Sequence, residues 1–446
     1  MSHRSIGLLL LLLGACTDPA PLQTPSAIVL RIAEGDAQEA PIREYAPLTL
    51  VVQAVDATGV AQAGLPVTWS AVVNGEVTAL NETTAVDGRA EARFRFGDLE
   101  GPAEVIATVP GGGSVRFALR AAPPAPGVPY DTMELLAFST YEGTGETVHP
   151  DYARTPWNGL RQLLAITPYP GGNSGYENPS LFAGRSPLLW PVPTGVVNPL
   201  AQPSKGTFLS DPDLVFVPEA NELRLYYRSV DTQNHILVLQ SNDGIQWSPP
   251  REIESAPNHR LISPAVVYRG PGDWWMWSID GGKEGCSALT SALELRRSTD
   301  GLHWGRPVAA ALEHDGFTPW HIDVQWIPSR RQFWAVYNGK LTRSCTTPAL
   351  FLATSPDGIV WTPIREPLVR KGAIPAFQDV VYRSTFRYDA GSDDLWLWIS
   401  GARFDFDRWT WSTALQRRHG NASLLATPSR GSLDFERSPA LLTEWP

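Results

Sequence analysis

The chain carries no long basic run, little sulfur, and no dominant charge of positive sign. Its 36 Lys and Arg are outnumbered by 46 Asp and Glu, giving a formal net charge of −10, so a nucleic-acid-binding surface is excluded. The apolar run near the N-terminus is too short to cross a bilayer as a stable anchor. Three cysteines, one of them in that N-terminal stretch, leave room for a single internal pair. What the chain has in quantity is turn and ring: 40 Pro, 38 Gly and 17 Trp in 446 residues describe a turn-rich β protein of two or three domains.

One phrase is written three times: SNDGIQW (241–247), STDGLHW (298–304) and SPDGIVW (355–361). Its Trp recurs every 57 residues at Trp247, Trp304 and Trp361, and one step back lies Trp190 in the eroded copy GRSPLLW. A period of this size signals stacked or radial units. In each copy the Asp can accept turn amides, the following Gly tolerates a positive φ, and the Trp supplies a large flat surface to bury between units. These are structural roles. The phrases look like the Asp-boxes of sialidases, shortened by one residue.

The N-terminus, MSHRSIGLLLLLLGAC, resembles a bacterial lipoprotein signal, which implies cleavage after residue 15, lipidation of Cys16 and residence in the cell envelope. Residues 16–26 read as a tether. Residues 27–121 hold short alternating strands split by Gly, Asp and Asn turns, the pattern of a β-sandwich. The order LPVTWS…TTAVDGRAEARFRF…GPAEVIATV is similar to bacterial Ig-like domains of the invasin type, with Trp69 as the core aromatic. Residues 122–132 are a Pro-rich linker.

From 133 to 446 five units emerge, each with an inner strand: 149–156, 211–218, 263–270, 321–328 and 382–389. The fold class is therefore all-β: an N-terminal Ig-like β-sandwich followed by a five-bladed β-propeller. Pro150, Pro212 and Pro264 fall inside inner strands, where an unpaired edge facing the channel tolerates a residue that cannot donate. Residues two apart share a strand face, so His149 with Asp151, Asp211 with Asp213, and His321 with Asp323 are expected at one end of the channel. Converging carboxylates there suit glycoside cleavage. Arg228 and Arg383 are placed to pair with them, and Trp320 to stack on a sugar ring. Cys286 and Cys345, in equivalent loops of adjacent units, form a candidate disulfide in an oxidising compartment.

The stretches VHPDYARTP, GYENPSLF and FLSDPDLVFVP resemble the five-bladed arabinanase- and invertase-like glycosidases, such as glycoside hydrolase family 43. The resemblance implies Asp151 as base or nucleophile and Asp211 or Asp213 as the orienting carboxylate. The third-blade acid of that superfamily has no counterpart, since Ser263 stands there; Glu177 and Asp323 are the candidates for its role. The reading is a monomeric, lipid-anchored protein that binds and hydrolyses a glycan. No cofactor is implied, although the His/Asp cluster is chemically able to hold Ca²⁺. A non-catalytic glycan- or protein-binding propeller and a structural adhesin are the rivals.

Overall fold

The computed structural model describes residues 28–123, 128–157, 160–341, 343–345 and 347–420. Cys16 and the tail beyond 420 lie outside the described residues. Regular structure among the described residues is strand, joined by short 3-10 turns.

The N-terminal unit is two four-stranded sheets face to face. One sheet orders Val29–Glu34, Leu50–Val55, Arg89–Phe96 and Gly75–Ala79; the other orders Glu39–Pro41, Gly113–Ala122, Gly101–Val109 and Thr68–Val73. Alternation dictates the packing: in Arg89–Phe96, Ala90, Ala92, Phe94 and Phe96 are buried between the sheets while the arginines and Glu91 point outward. Trp69 sits at the edge of this core rather than its centre, half-buried against Phe117 at a ring distance of 5.9 Å.

Five sheets follow. Their inner strands are Thr147–Arg154, Phe208–Val217, Ile262–Tyr268, Phe317–Ile327 and Thr385–Asp389, and each touches the next, with the fifth returning to the first. Blade one has three strands and blade two four; blades three and four are joined into one sheet by a parallel pairing of Val308–Leu312 with Val360–Pro363. The ring closes through the propeller's own first strand: Met133–Leu135 pairs with Arg408–His419 of blade five. The expected linker is correspondingly shorter at its C-terminal end, because Val128 is already buried against Leu136, Phe138 and Trp398.

The repeated phrase now has its geometry. Asp243, Asp300 and Asp357 each accept two backbone amides of their own turn at 2.7–2.9 Å. Gly244, Gly301 and Gly358 sit at φ +72°, +73° and +71°, where other residues are strained. Each turn leans on the preceding blade: Tyr226 donates to the Gly301 carbonyl at 3.1 Å and Trp277 to that of Gly358 at 2.8 Å. The Trp residues obey the same rule. Trp361 meets Trp277 at 5.9 Å, and Trp190 of blade one meets Trp398 of blade five at 5.8 Å, edge-on pairs worth about 1 kcal/mol each beyond area burial.

The sandwich docks on the end of the propeller where the inner strands finish. Arg331 pairs with Asp87 at 3.0 Å, Arg161 with Glu39 at 3.3 Å, and Arg93 donates to the Gly391 carbonyl. A side chain on Gly391 would collide with the Ala46 carbonyl, so the approach requires glycine there. Between the two units lies a cavity of about 360 Å³, lined by Glu34 and Thr49 of the sandwich and by inner-strand residues including Asp151, Asp213 and Asp323.

Candidate active site

Each inner strand delivers one residue to a common level near its start: His149, Asp211, Ser263, His321 and Arg383. In the first three blades that residue precedes a proline, adopts φ of 56°, 50° and 55°, and lies where the pairing register skips. In blade four the skip falls between Pro319 and His321. A left-handed non-glycine residue costs about 1–3 kcal/mol and persists only where its surroundings impose it. Here the irregularity turns His149, Asp211 and His321, though not Ser263, toward one another on the axis.

They converge. His321 Nδ1 lies 3.1 Å and His149 Nε2 3.6 Å from Asp211 Oδ1, and all three residues are at most 3% exposed. Arg228 approaches the other Asp211 oxygen at 3.5 Å. Glu177, just past the Ser174–Tyr176 turn, reaches His149 Nδ1 at 3.4 Å. Tyr382 faces both imidazoles, at ring distances of 4.4 Å to His321 and 5.4 Å to His149, and Trp320 borders His321 at 5.8 Å. Ser263 is turned away from this group: it donates to the Ile322 carbonyl and accepts from Arg383 at 2.8 Å.

Two residues further along, the strands form a second level: Asp151, Asp213, Ala265, Asp323 and Thr385. Its carboxylates are committed to the neighbouring blade. Asp151 accepts Leu214 N at 2.6 Å, Asp213 accepts Val266 N at 3.2 Å, and Asp323 accepts Thr385 Oγ1 at 2.9 Å. The Arg383 guanidinium, wholly buried, stands 3.7 Å from Asp151 and 4.0 Å from Asp213. The two members of each pair expected from the sequence to act together therefore stand in two layers with different surroundings.

Electrostatics separates the layers further. Burial drives His149 well below the ordinary imidazole value, and His321 below it too, leaving neutral rings with free lone pairs. Burial alone raises Asp211, but His149, His321 and Arg228 outweigh it and hold the carboxyl well below the usual range. Glu177 goes the other way, pushed well up by burial and by the Asp211 charge. Asp151 and Asp213 are raised by burial and by their fellow carboxylates, against Arg383; burial raises Asp323 as well.

His149, Asp211 and His321 each offer a ligand atom within 4.8 Å of the others, as do Asp151, Asp213 and Asp323. The first group has the donor chemistry of a divalent transition-metal site, two imidazoles and one carboxylate, the count at which catalytic sites keep a further position open. Nε2 of both His149 and His321 is buried without a hydrogen-bond partner, a cost that a bound cation would remove. The second group is already occupied by amides, a hydroxyl and a guanidinium.

The candidate catalytic and glycan-binding residues His149, Asp151, Glu177, Asp211, Asp213, Arg228, Trp320, His321, Asp323 and Arg383 fall in one of these layers or on their border. Tyr382 was missed; its signal was adjacency to Arg383 in VYRSTF. Glu34 was missed because nothing local announces that a sandwich strand end will meet a propeller. Cys286 and Cys345 are bonded across the loops of blades three and four.

No family model matches the chain. It is 27% identical over 339 residues to the A type blood N-acetyl-α-D-galactosamine deacetylase of Flavonifractor plautii, covering 65% of this chain and 42% of that protein. The crystal structure of an N-acetylgalactosamine deacetylase from F. plautii, in complex with blood group B trisaccharide, superposes with a TM-score of 0.57 at 24% identity, over 66% of this chain and 94% of that one. The two share one propeller fold. A Penicillium chrysogenum α-L-arabinanase complexed with arabinobiose matches at a TM-score of 0.42 and 14% identity, over 65% and 98% of the respective chains. The chain spans about two-fifths of the curated deacetylase's length.

Proposed function

We propose that the propeller is a metal-assisted hydrolase that removes the acetyl group from an N-acetylated sugar of a glycan. The observation that carries this is the buried His149–Asp211–His321 cluster with unpartnered imidazole nitrogens and Glu177 beside it; the similarity to a sugar deacetylase supplies the reaction class. His149, Asp211 and His321 would hold the ion, which supplies Lewis-acid polarisation of the acetyl carbonyl and an activated water. Glu177 takes the proton from the attacking water and returns it to the amine as the C–N bond breaks, so one water is consumed and acetate and a free amino sugar leave. The Tyr382 phenol, raised by burial and by the charges of Asp211 and Glu177, stays protonated and can donate to the oxyanion. Arg228 keeps Asp211 ionised.

The test is acetate release from N-acetylated mono- and oligosaccharides, with metal content measured on the purified protein. Loss of activity on chelation, recovery on adding back a divalent ion, and loss of both metal and activity in Asp211→Ala are expected. Activity that survives exhaustive chelation sinks the reading.

Glycoside cleavage is the second reading, since Asp151, Asp213 and Asp323 gather within 4.8 Å. It is disfavoured because all three carboxyls shift the same way and share Arg383, so nothing splits acid from base. The Ig-like character of the sandwich, its service as a spacer, and anchorage in the cell envelope through lipid on Cys16 belong to the same proposal. Radiolabelled palmitate incorporated by the full chain and lost in Cys16→Ser would support the anchor.

A further inference from the structure

The two longest strands of blade five, Asp394–Asp405 and Arg408–His419, outrun their sheet. The last pairing to a third strand is Val380 with Ala402; beyond it Arg403 to Thr410 stand as a bare two-stranded ribbon. Such a ribbon is marginal alone, yet it is pinned. Phe404 N donates to Asp379 at 2.7 Å, and buried Glu146 takes Gly171 N and Trp411 N at 3.1 Å each and pairs with Arg408. At the tip, Phe406 and Asp407 have φ of 51° and 59°, the conformation of a tight hairpin turn that favours Asn-Gly. A phenyl ring there is doubly disfavoured, by backbone and by water: Phe406 is 102% exposed and Phe404 39%.

The ribbon rises at the same end of the channel as His149 and His321, and rings connect the two. Tyr382 meets Trp411 at 5.3 Å, Trp411 meets Trp409 at 6.3 Å, and Trp409 meets Phe404 at 5.0 Å. A row of aromatic rings therefore runs from the imidazoles to Phe404, two residues short of the tip ring of Phe406. Alternating charges flank it: Arg403 pairs with Asp405 at 3.1 Å, and Asp407 and Arg408 follow.

We propose that this ribbon is a binding platform for the sugar units of the glycan beyond the one being deacetylated, with Phe406 and Phe404 stacking on ring faces and Asp405 and Asp407 accepting hydroxyls. Sugar rings combine an apolar face with hydroxyl edges, which matches rings interleaved with carboxylates; the two acids and two arginines of the segment cancel, so it offers an anionic lipid surface no net attraction. The inference rests on the glycan-hydrolase reading. The test compares binding of methyl N-acetyl-α-D-galactosaminide and the blood group A trisaccharide by calorimetry, using the whole chain and Phe406→Ala. The trisaccharide should bind about 5-fold more tightly, and the variant should lose that gap while keeping its affinity for the monosaccharide. Equal affinities in the parent, no binding of either sugar, or an unchanged gap in Phe406→Ala overturns the proposal. Loss of vesicle co-sedimentation in the variant, with sugar affinities untouched, assigns the tip to lipid instead. Trisaccharide binding without acetate release would break the deacetylase reading and leave the platform standing.

Discussion

Two rings of side chains, one residue apart on each strand face, have opposite conditions. The ring of Asp151, Asp213 and Asp323 is regular in backbone, hydrogen-bonded blade to blade, and cross-neutralised by Arg383. The ring of His149, Asp211 and His321 sits on left-handed or register-skipped backbone and keeps buried nitrogens without partners. Ring closure places carboxylates on the axis twice, but only the strained level adds imidazoles, and their Nε2 atoms are buried without partners. Two residues along each strand separate side chains that hold blades together from side chains whose imidazole nitrogens lack partners.

The comparison breaks most visibly at the strained level. Asp211→Ala or His321→Ala should lower acetate release on the order of 10³-fold or more and abolish metal retention. Kinetics and elemental analysis of one preparation check both. Glu177→Gln should cost about 10²–10⁴-fold in kcat with metal retained, as expected of a proton carrier; a loss of metal equal to that in Asp211→Ala would instead make Glu177 a ligand.

At the committed level the balance reverses. Asp213→Ala leaves Val266 N and part of Arg383 unpaired in the interior and should destabilise the chain by about 3 kcal/mol, with kcat per folded molecule within about 10-fold of the parent. Denaturant unfolding monitored beside activity separates the two effects. A collapse of kcat at unchanged stability would return the chemistry to the carboxylates.

The smallest effect belongs to the cavity beneath the committed ring. Burial lifts Glu34 from 4.5 to about 7, Glu91 adding to it and Arg89 opposing; Arg154, Arg387 and Asp389 line the same cavity from the propeller. Because the folded state binds this proton more tightly than the unfolded chain, the contribution is complete below about pH 4.5 and is lost as pH rises through about 7. The loss is on the order of 2 kcal/mol once partial exposure is allowed for. Glu34→Gln should therefore flatten the pH dependence of stability between pH 5 and about 8, read from thermal melts across that range.

Much of this architecture was legible because it is periodic. The Trp interval and the DG turns announced the blades, and the prolines marked the inner strands through their missing donor. The residues of both rings could be listed for the same reason: each stands at a fixed offset from its Pro or strand start. Their division could not. Whether Asp151 and His149 share an environment depends on a skipped residue in the pairing of Val148 to Asp151, and that irregularity is set by neighbouring strands. The resemblance to glycosidases drew the eye to carboxylates, whereas the uncommitted chemistry lies with imidazoles beside Asp211. Contacts between distant parts, such as Glu34 with the propeller or Tyr382 with His149, leave no local pattern to read.

The pairing of Met133–Leu135 with the last hairpin has a consequence for biogenesis. During translation this strand leaves the ribosome before any blade exists, and its partner emerges only after all the others. Blades one to four can form in turn, but the circle waits for the final hairpin to capture a segment made at the outset. A nascent chain halted before residue 408 should therefore carry an open arc with a sticky seam, and the newborn protein depends on finishing quickly.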